Sequence, residues 1–329
     1  HLSLRRQRQM CIRDSIYGAQ SSNLVLDFAG SILDPGTGAS ERMIHIYSKK
    51  LADGSFSRPE NIRIHHATVV GAIRIRGMTA DDLREPSRHE GLTRVAQAAA
   101  PTNISISQVR IIANGTIPLY VEPGTTYVRL EDSKIEGSSN STAIYLDAES
   151  GFHVIRNNKI VSANSREAIA VDGSAHNTIV DNYFSNTNEG SIFLYRNCGE
   201  RSVSRHQSPQ FNLISNNTFY YNKYTGSTPA IHIGSRQGNR KYCGDDRDSK
   251  FGSGVSDLDY ARNNTVINNQ FINRNPAKYI LNNDSDNTVS GNQQVSESIS
   301  RASACYLPNG YPYALSLIHI SEPTRPLYI

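Results

Sequence analysis

Two groups of side chains in this sequence have the chemistry to transfer protons and to hold a carboxylate. Histidine, lysine and tyrosine can transfer protons, and arginine can hold a carboxylate through paired hydrogen bonds. The candidate proton-transfer residues are Lys241, His232, Tyr195 and His206. The candidate carboxylate-binding residues are Arg74, Arg76, Arg196, Arg236 and Arg240, and Tyr145 adds an aromatic face. These residue types predict a cleft for an extended carbohydrate, provided that the fold brings them together.

The element that must position these residues is a short repeat of the form apolar-x-x-Asn-x-apolar. Its clearest copies lie at residues 154–160, 179–184, 213–219 and 266–271. The aligned asparagines are separated by 24, 35, 52 and 23 residues, and they are Asn158, Asn182, Asn217, Asn269 and Asn292. The base period is therefore about 23 to 24 residues, with extra residues inserted in two turns. Such a period, rich in β-branched residues and lacking helical patterning, predicts coils of a parallel β-helix.

The predicted fold class is all-β, a single-domain right-handed parallel β-helix solenoid with loop insertions on one face. A second strand follows each repeat, at residues 72–75, 143–146, 168–171, 191–194 and 230–233. Alternate residues of a strand point to opposite faces, so the Ile, Leu and Val set should stack inside. The repeated asparagines should form hydrogen-bonded ladders between coils.

Aligning these second strands predicts two outward columns of side chains. One column contains Arg74, Pro118, Tyr145, Ala170, Phe193 and His232, and the next contains Arg76, Tyr120, Asp147, Asp172 and Tyr195. Insertions at about 77–101, 196–210 and 235–262 all follow the same strand of their coils. Because inserted residues of repeat proteins often build the binding face, we expect them to form one wall of a groove beside the columns.

The two ends of the chain resemble peptides translated from the sequencing adapters of metagenomic assemblies. We expect residues 1–15 and 315–329 to be non-native tails and residues 16–314 to form the β-helix domain. The formal net charge of +4 falls to about +1 without the first fifteen residues, which argues against a nucleic-acid partner. No stretch reaches the ~18 consecutive apolar residues of a membrane span. We expect a monomer.

The asparagine-bearing coils between about residues 61 and 294 resemble the right-handed parallel β-helix superfamily of pectate, alginate and chondroitin lyases, polygalacturonases and mannuronan epimerases. The segments 194–200, 205–207 and 238–243 resemble secreted bacterial members near the polysaccharide lyases. This resemblance implies a secreted, periplasmic or cell-surface location. The motifs of the epimerases and polygalacturonases are absent from the sequence.

The resemblance implies β-elimination of an acidic, uronate-containing polysaccharide as the first expectation. This reaction needs a base near C5 of the sugar and a cation or donors on its carboxylate. We expect Lys241 or His232 to be the base and Arg236 to hold the carboxylate, with Tyr195 as a further acid or base. The alternatives are a non-catalytic carbohydrate-binding or surface protein, or a glycoside hydrolase that uses Asp147 and Asp172 on adjacent coils.

Two further features of the sequence suggest a metal ion or a covalent link. Calcium replaces the arginine in several β-helix lyases, and its candidate ligands are Asp147 and Asp172 or the acidic run between residues 245 and 259. Cys198 and Cys243 lie in two of the insertions and could form a disulfide in an oxidising compartment.

Overall fold

The protein folds into three long parallel sheets that run side by side along a solenoid. The structure is a computed structural model that describes residues 16–36, 42–185, 187–197, 203–221, 226–234 and 260–297. The expected tails at 1–15 and 315–329 lie outside these residues. Neighbouring strands in each sheet come from successive coils and pair in parallel. The predicted class, a right-handed parallel β-helix, is confirmed.

Successive coils contribute strands to the same three sheets. Sheet 1 contains β1 (Val25–Asp27), β6 (Glu60–His65), β9 (Thr102–Ser107), β12 (Thr126–Glu131), β15 (Val154–Arg156), β19 (Thr178–Val180), β22 (Leu213–Ser215), β25 (Thr265–Ile267) and β28 (Thr288–Ser290). Sheet 2 contains β2 (Ile32–Leu33), β7 (Thr68–Val70), β10 (Arg110–Gly115), β13 (Lys134–Ser139), β16 (Lys159–Ile160), β17 (Ala163–Asn164), β20 (Tyr183–Ser185), β23 (Thr218–Tyr220), β26 (Gln270–Ile272) and β29 (Gln293–Val295). Sheet 3 contains β3 (Arg42–Tyr47), β8 (Ala72–Arg76), β11 (Leu119–Val121), β14 (Ile144–Leu146), β18 (Ile169–Asp172), β21 (Ile192–Tyr195), β24 (Ile231–Ile233) and β27 (Ile280–Asn282).

Short elements decorate this frame. The strands β4 (Lys49–Lys50) and β5 (Phe56–Ser57) form an antiparallel pair. The helices are α1 (Ala80–Arg84), α2 (Leu92–Ala99) and α3 (Pro276–Tyr279), with 3₁₀ turns at Ala19–Ser21 and Pro86–Arg88. The longest described helix has eight residues, far fewer than the ~20 that a bilayer crossing needs.

The core consists of equivalent side chains stacked coil upon coil. In sheet 2, the rings of Phe184, Phe219 and Phe271 occupy one inward column, with centroids 5.1 and 4.9 Å apart. Inward columns of Ile, Leu and Val line the other two sheets and are fully buried. The strict register follows because a one-residue slip would turn every apolar side chain outward.

Two ladders of buried asparagines hold the turns between sheets. The predicted ladder begins at Asn158, whose backbone N–H and amide Nδ2 both donate to Oδ1 of Asn182, 3.0 Å away, and the pattern repeats up to Asn292. A second ladder, which the sequence reasoning missed, runs through Asn177, Asn212, Asn264 and Asn287. Each rung satisfies turn backbone that burial would otherwise leave unpaired.

The first two insertions meet at the edge of sheet 3, as the sequence predicts. His206 Nε2 lies 2.8 Å from the backbone oxygen of Ser87, which joins the second insertion to the first. Both insertions also contact Glu149. Its buried carboxylate accepts hydrogen bonds from the Thr93 hydroxyl of the first insertion and from the backbone N–H of His206 in the second. Most of the third insertion lies outside the described residues.

Candidate functional site

The outer face of sheet 3 carries the residues that the sequence singles out, but in a corrected register. Tyr120 pairs with Arg74 on one side and Tyr145 on the other, so it belongs to the column in which we expected Pro118. Glu122 takes the expected place of Tyr120 beside Arg76, and its carboxylate accepts from Arg76 Nε at 2.7 Å.

This error is a slip of two residues, which the sequence pattern cannot detect. A shift by two keeps every side chain on its own face, so the inward Leu119 and Val121 fit either alignment. The slip hid Glu122, which also accepts a hydrogen bond from Arg74. Two arginines therefore share one buried carboxylate, and the trio has a net charge of +1. Arg74 and Arg76 remain 22% and 28% exposed.

Asp147 and Asp172, on adjacent coils, form the centre of a buried network. Arg205 of the second insertion joins them, with Nη1 3.1 Å from Oδ1 of Asp147 and 2.8 Å from Oδ2 of Asp172. The Tyr120 hydroxyl donates to Asp147 at 2.6 Å, and the Tyr145 hydroxyl donates to Asp172 at 2.5 Å. The insertion thus closes over the carboxylates, which are only 4% and 0% exposed.

Burial determines the protonation behaviour of these groups. It raises the pKa of Asp147 from 3.8 to about 6, although the positive charge of Arg205 acts in the opposite direction. Burial, reinforced by the negative charges of Asp147 and Asp172, also raises the pKa values of Tyr120 and Tyr145 well above 10. Asp147 can therefore exchange a proton near neutral pH, whereas both phenols remain hydrogen-bond donors.

Asp172 is held more rigidly than Asp147. Besides its ion pair with Arg205 and the hydrogen bond from Tyr145, it accepts hydrogen bonds from the backbone N–H and the amide Nδ2 of Asn197, both at 2.7 Å. These contacts fix the orientation of the carboxylate and leave it with no exposed oxygen. Asn197 was not foreseen, because nothing in its sequence context distinguishes it from the many asparagines of the turns.

Tyr195 lies one coil beyond Asp172, and it too is buried. Its hydroxyl donates to Glu167 at 2.6 Å and accepts from Arg166 Nη2 at the same distance. It is 1% exposed, so in this conformation its phenol contacts protein and not solvent. Tyr145, expected to offer a face to sugar, is 8% exposed and packs at 5.2 Å from the ring of Tyr120.

Arg196 and His206, expected to bind substrate, instead fasten the second insertion. Arg196 is 1% exposed and its Nη1 donates to the backbone oxygen of Arg205 at 3.0 Å. His206 contacts Ser87 and Glu149 as described above. Both side chains hold Arg205 above the carboxylates, and Arg205 itself was missed although it directly precedes His206 in the sequence.

His232 lies on the same outer column as Tyr120 but four coils away. Its ring meets Phe193 edge-on at 5.4 Å, and its Nε2 lies 3.3 Å from the amide of Asn283. At ~4.8 Å per coil, it is roughly 19 Å from Tyr120 along the column. The structure therefore does not bring His232 and Tyr120 together. Lys241, Arg236, Arg240, Cys198 and Cys243 lie outside the described residues.

Neither calcium nor copper fits the sheet 3 network. The guanidinium of Arg205 already bridges Asp147 and Asp172, so it takes the position that a calcium ion shared by them would need. Copper requires several imidazole or sulfur ligands that converge. Within the part of residues 102–297 that the structure describes, no three His, Cys, Asp or Glu side chains present ligand atoms close enough to share an ion. The acidic run at 245–259 lies outside the described residues.

A surface depression of about 680 Å³ lies elsewhere, on the outer face of sheet 1. Arg63, Arg129 and the amides of Asn23, Asn61 and Asn103 are among its lining residues, which include no acid, histidine or tyrosine. This surface can attract an anion, but it offers no group that exchanges a proton. The paired tyrosines and carboxylates, Tyr120 with Asp147 and Tyr145 with Asp172, lie on sheet 3 instead.

Residues 102–302 match the family described as "Periplasmic copper-binding protein (NosD)". No curated protein matches the chain.

Solved structures of similar shape include the DFA-IIIase from Arthrobacter chlorophenolicus A6 in complex with DFA-III, at 13% identity and a TM-score of 0.46, over 83% of this chain and 52% of that one. An alginate lyase from Paenibacillus sp. str. FPU-7 matches at 12% identity and a TM-score of 0.38, over 72% and 88% of the two chains. PfbA, a surface adhesin of Streptococcus pneumoniae, matches at 14% identity and a TM-score of 0.41, over 77% and 69%. The chain thus spans about half the length of the DFA-IIIase structures.

Proposed function

The chain belongs to the NosD family, and on the β-helix of this member we propose that the outer face of sheet 3 binds an acidic, uronate-containing polysaccharide and cleaves it by β-elimination. The observation that carries the proposal is the position of the Tyr120 hydroxyl. It donates to Asp147, a carboxylate that titrates near neutral pH, while the guanidinium of Arg74 lies 4.7 Å above its ring.

The proposed chemistry passes through Tyr120 because Asp147 is too buried to touch a substrate. Tyr120 gives its proton to Asp147 and takes the proton from C5 of the uronate. The C5–H electron pair forms the C4–C5 double bond while the C4–O bond breaks. Tyr120 then protonates the leaving oxygen and recovers its own proton from Asp147. Burial and Asp147 raise the pKa of Tyr120, which opposes loss of its proton. The raised pKa of Asp147 reduces that cost, because the carboxylate accepts the phenolic proton more readily than an ordinary aspartate would.

Arg74 and Arg76 are the proposed partners of the substrate carboxylate. Their shared contact with Glu122 orients both guanidinium groups and leaves one positive charge unbalanced. A substrate carboxylate bound there would be neutralised, which stabilises the enolate-like charge that develops when C5 loses its proton. Arg236, which the sequence favours for the same task, lies outside the described residues.

Glycoside hydrolysis is the second candidate, and the raised pKa of Asp147 favours it. A glycosidase needs one protonated carboxylic acid, which Asp147 would supply at mildly acidic pH. It also needs a second carboxylate that reaches the sugar or a water molecule. Asp172 is 0% exposed and bonded to Arg205, Tyr145 and Asn197, so β-elimination remains the better-supported reaction.

The test is the absorbance near 235 nm of the protein incubated with alginate, polygalacturonate, chondroitin and hyaluronan, with and without a calcium chelator. We expect one polymer to give a rise that Tyr120→Phe and Asp147→Asn abolish. Tyr127→Phe is the matched control, because Tyr127 is 50% exposed on a different face. A rise that survives Tyr120→Phe but is lost in Lys241→Ala or His232→Ala would overturn the relay and favour the bases proposed from the sequence.

Two other outcomes would replace β-elimination itself. New reducing ends without the absorbance would favour hydrolysis. Tight binding of one polymer without either product would leave a carbohydrate-binding surface protein.

The proposal also includes the setting of the protein. The family description favours the periplasm as its location, and a polymeric acidic substrate fits a periplasmic or extracellular site. We propose that the protein acts as a monomer, because a single chain supplies every residue of the relay.

A further inference from the structure

A second cluster of reactive side chains lies in the first coils, at the carboxyl ends of β1 and β6. Asp27 and His65 are paired in register across these strands. His66 follows directly in the left-handed region, with φ 56°, which turns its ring toward the same spot. The side chains of Asp27, His65 and His66 are 46%, 25% and 30% exposed, so the cluster is open to solvent.

The three ligand atoms have the spacing of a metal site. Nδ1 of His66 lies 3.0 Å from Nδ1 of His65 and 3.0 Å from Oδ1 of Asp27, and the outer two atoms are 3.9 Å apart. The centre of this triangle is about 2.0 Å from every corner, which is the usual length of a bond from a metal to imidazole. The two separations of 3.0 Å and the one of 3.9 Å approximate three corners of a square. Cu²⁺ prefers such square-planar or tetragonal coordination.

The hydrogen-bond chemistry of the cluster also favours a metal ion. A neutral imidazole carries a proton on only one nitrogen, so a proton on Nδ1 of His66 would have to be shared between His65 and Asp27. A metal ion accepts all three lone pairs at once. Asp27 Oδ1 also accepts from the backbone N–H of Ala29 at 2.9 Å, which fixes the carboxylate as the partners of metal ligands usually do.

We propose that Asp27, His65 and His66 bind a late first-row divalent metal ion. Among these ions, Cu²⁺ should bind most tightly. The site is separate from the sheet 3 network, and its residues precede the segment that matches the NosD family, which begins at residue 102. Two nitrogen ligands select against calcium and magnesium, which take oxygen. The open positions around the ion would be filled by solvent.

The fold itself suggests variants that remove ligands without straining the backbone. His66→Asn places asparagine where later coils already have it in the same left-handed corner, at Asn157, Asn216 and Asn268. His65→Ser copies Ser107, the residue paired with His65 on the next coil. The matched control is His89→Asn, which changes an exposed histidine outside the cluster.

The experiment is calorimetric titration of the full chain with Cu²⁺, accompanied by electron paramagnetic resonance of the loaded protein. We expect a one-equivalent site with an axial spectrum split by two imidazole nitrogens. His66→Asn and His65→Ser should each weaken this site by at least the 10–100-fold that loss of an outer-shell partner costs. The control should bind like the parent protein.

Thermal unfolding gives an independent readout. Cu²⁺ should raise the Tm of the parent protein and of His89→Asn but not of the two ligand variants, because binding to the folded state alone stabilises it. Without metal all four proteins should melt together. Unchanged copper binding in both ligand variants, or equal loss in the control, would overturn the site.

Discussion

Removing a single amide from the middle of the first asparagine ladder should destabilise the whole solenoid. Asn217 is fully buried, and its Oδ1 accepts from the backbone N–H and the amide of Asn182, both at 3.0 Å. Its Nδ2 donates to the backbone oxygen of Ile179 at 2.8 Å and to Asn269. In Asn217→Ala, the N–H of Asn182 and the carbonyl of Ile179 lose these partners where water cannot replace them.

The expected cost follows from those two groups. A buried polar group left without its partner costs about 1–3 kcal/mol, so Asn217→Ala should lower the free energy of unfolding by about 2–6 kcal/mol. Asn292→Ala is the matched control, because Asn292 makes the same kind of contacts with Asn269 and Val266 from a half-exposed position. Because Asn292 itself is partly exposed, water can enter the space that its side chain leaves, so its cost should be less than half as large.

Urea unfolding would measure both values. The chain has 17 tyrosines and no tryptophan, so tyrosine fluorescence and far-ultraviolet circular dichroism are the suitable probes. The denaturant slope should be unchanged, which would show that stability and not compactness was altered. A cost below 1 kcal/mol for Asn217→Ala, or equal costs for the two variants, would refute the account of the ladder.

Three further perturbations test other parts of the structure. Burial lowers the pKa of His153, the first position of the second ladder, to about 3, so the unfolded chain binds its proton more tightly between pH 6.5 and 3 and stability falls as pH decreases through that window. His153→Asn should remove this pH dependence, which amounts to up to ~1.4 kcal/mol per pH unit. Because the Nε2 of His153 has no partner among the described residues, the variant should also add about 1 kcal/mol of stability in urea melts at pH 7. Arg205→Met should cost about 3–5 kcal/mol at pH 8 and less at pH 5, where Asp147 takes up a proton and no longer needs a counter-ion; equal losses at both pH values would contradict the network. Gly137→Ala should lower the Tm, since φ is 91° and a Cβ there would collide with the carbonyl of Ala113; an unchanged Tm in a calorimetric scan would contradict this contact.

Much of the fold could be predicted from the sequence because it depends on repetition. Asn158 and Asn182 recur at the interval of one coil, and the alternation around Ile169 and Val171 fixes which side chains face inward. The second ladder escaped notice because its first position is His153 and its copies stand beside varied turn residues. A ladder is recognised from a residue type that recurs at one position of the coil. Histidine at the first of these positions, where later coils have asparagine, obscured the pattern.

The candidate site was harder to predict because it depends on contacts between coils and insertions. Asp147 and Asp172 were identified from their shared column, but their burial comes from Arg205, which reaches them from a segment without periodicity. The role of Glu122 was hidden by an alignment that is two residues out of register and equally consistent with apolar alternation. Sequence reasoning placed Asp147 and Asp172 on one face of the solenoid, but the pairing of charges on that face required the structure.

The asparagine ladders point in one direction along the solenoid. In each rung the donors belong to the earlier coil and the acceptor to the later one, from Asn158 through to Asn292. Every coil therefore presents to its successor the same surface that it receives from its predecessor, and coils are interchangeable building units. An in-frame duplication of the 24-residue interval between Asn158 and Asn182 would meet matching partners at both junctions. Chains with this ladder can change length by whole coils during evolution, and the reach of the outer face along a polymer would change in the same steps.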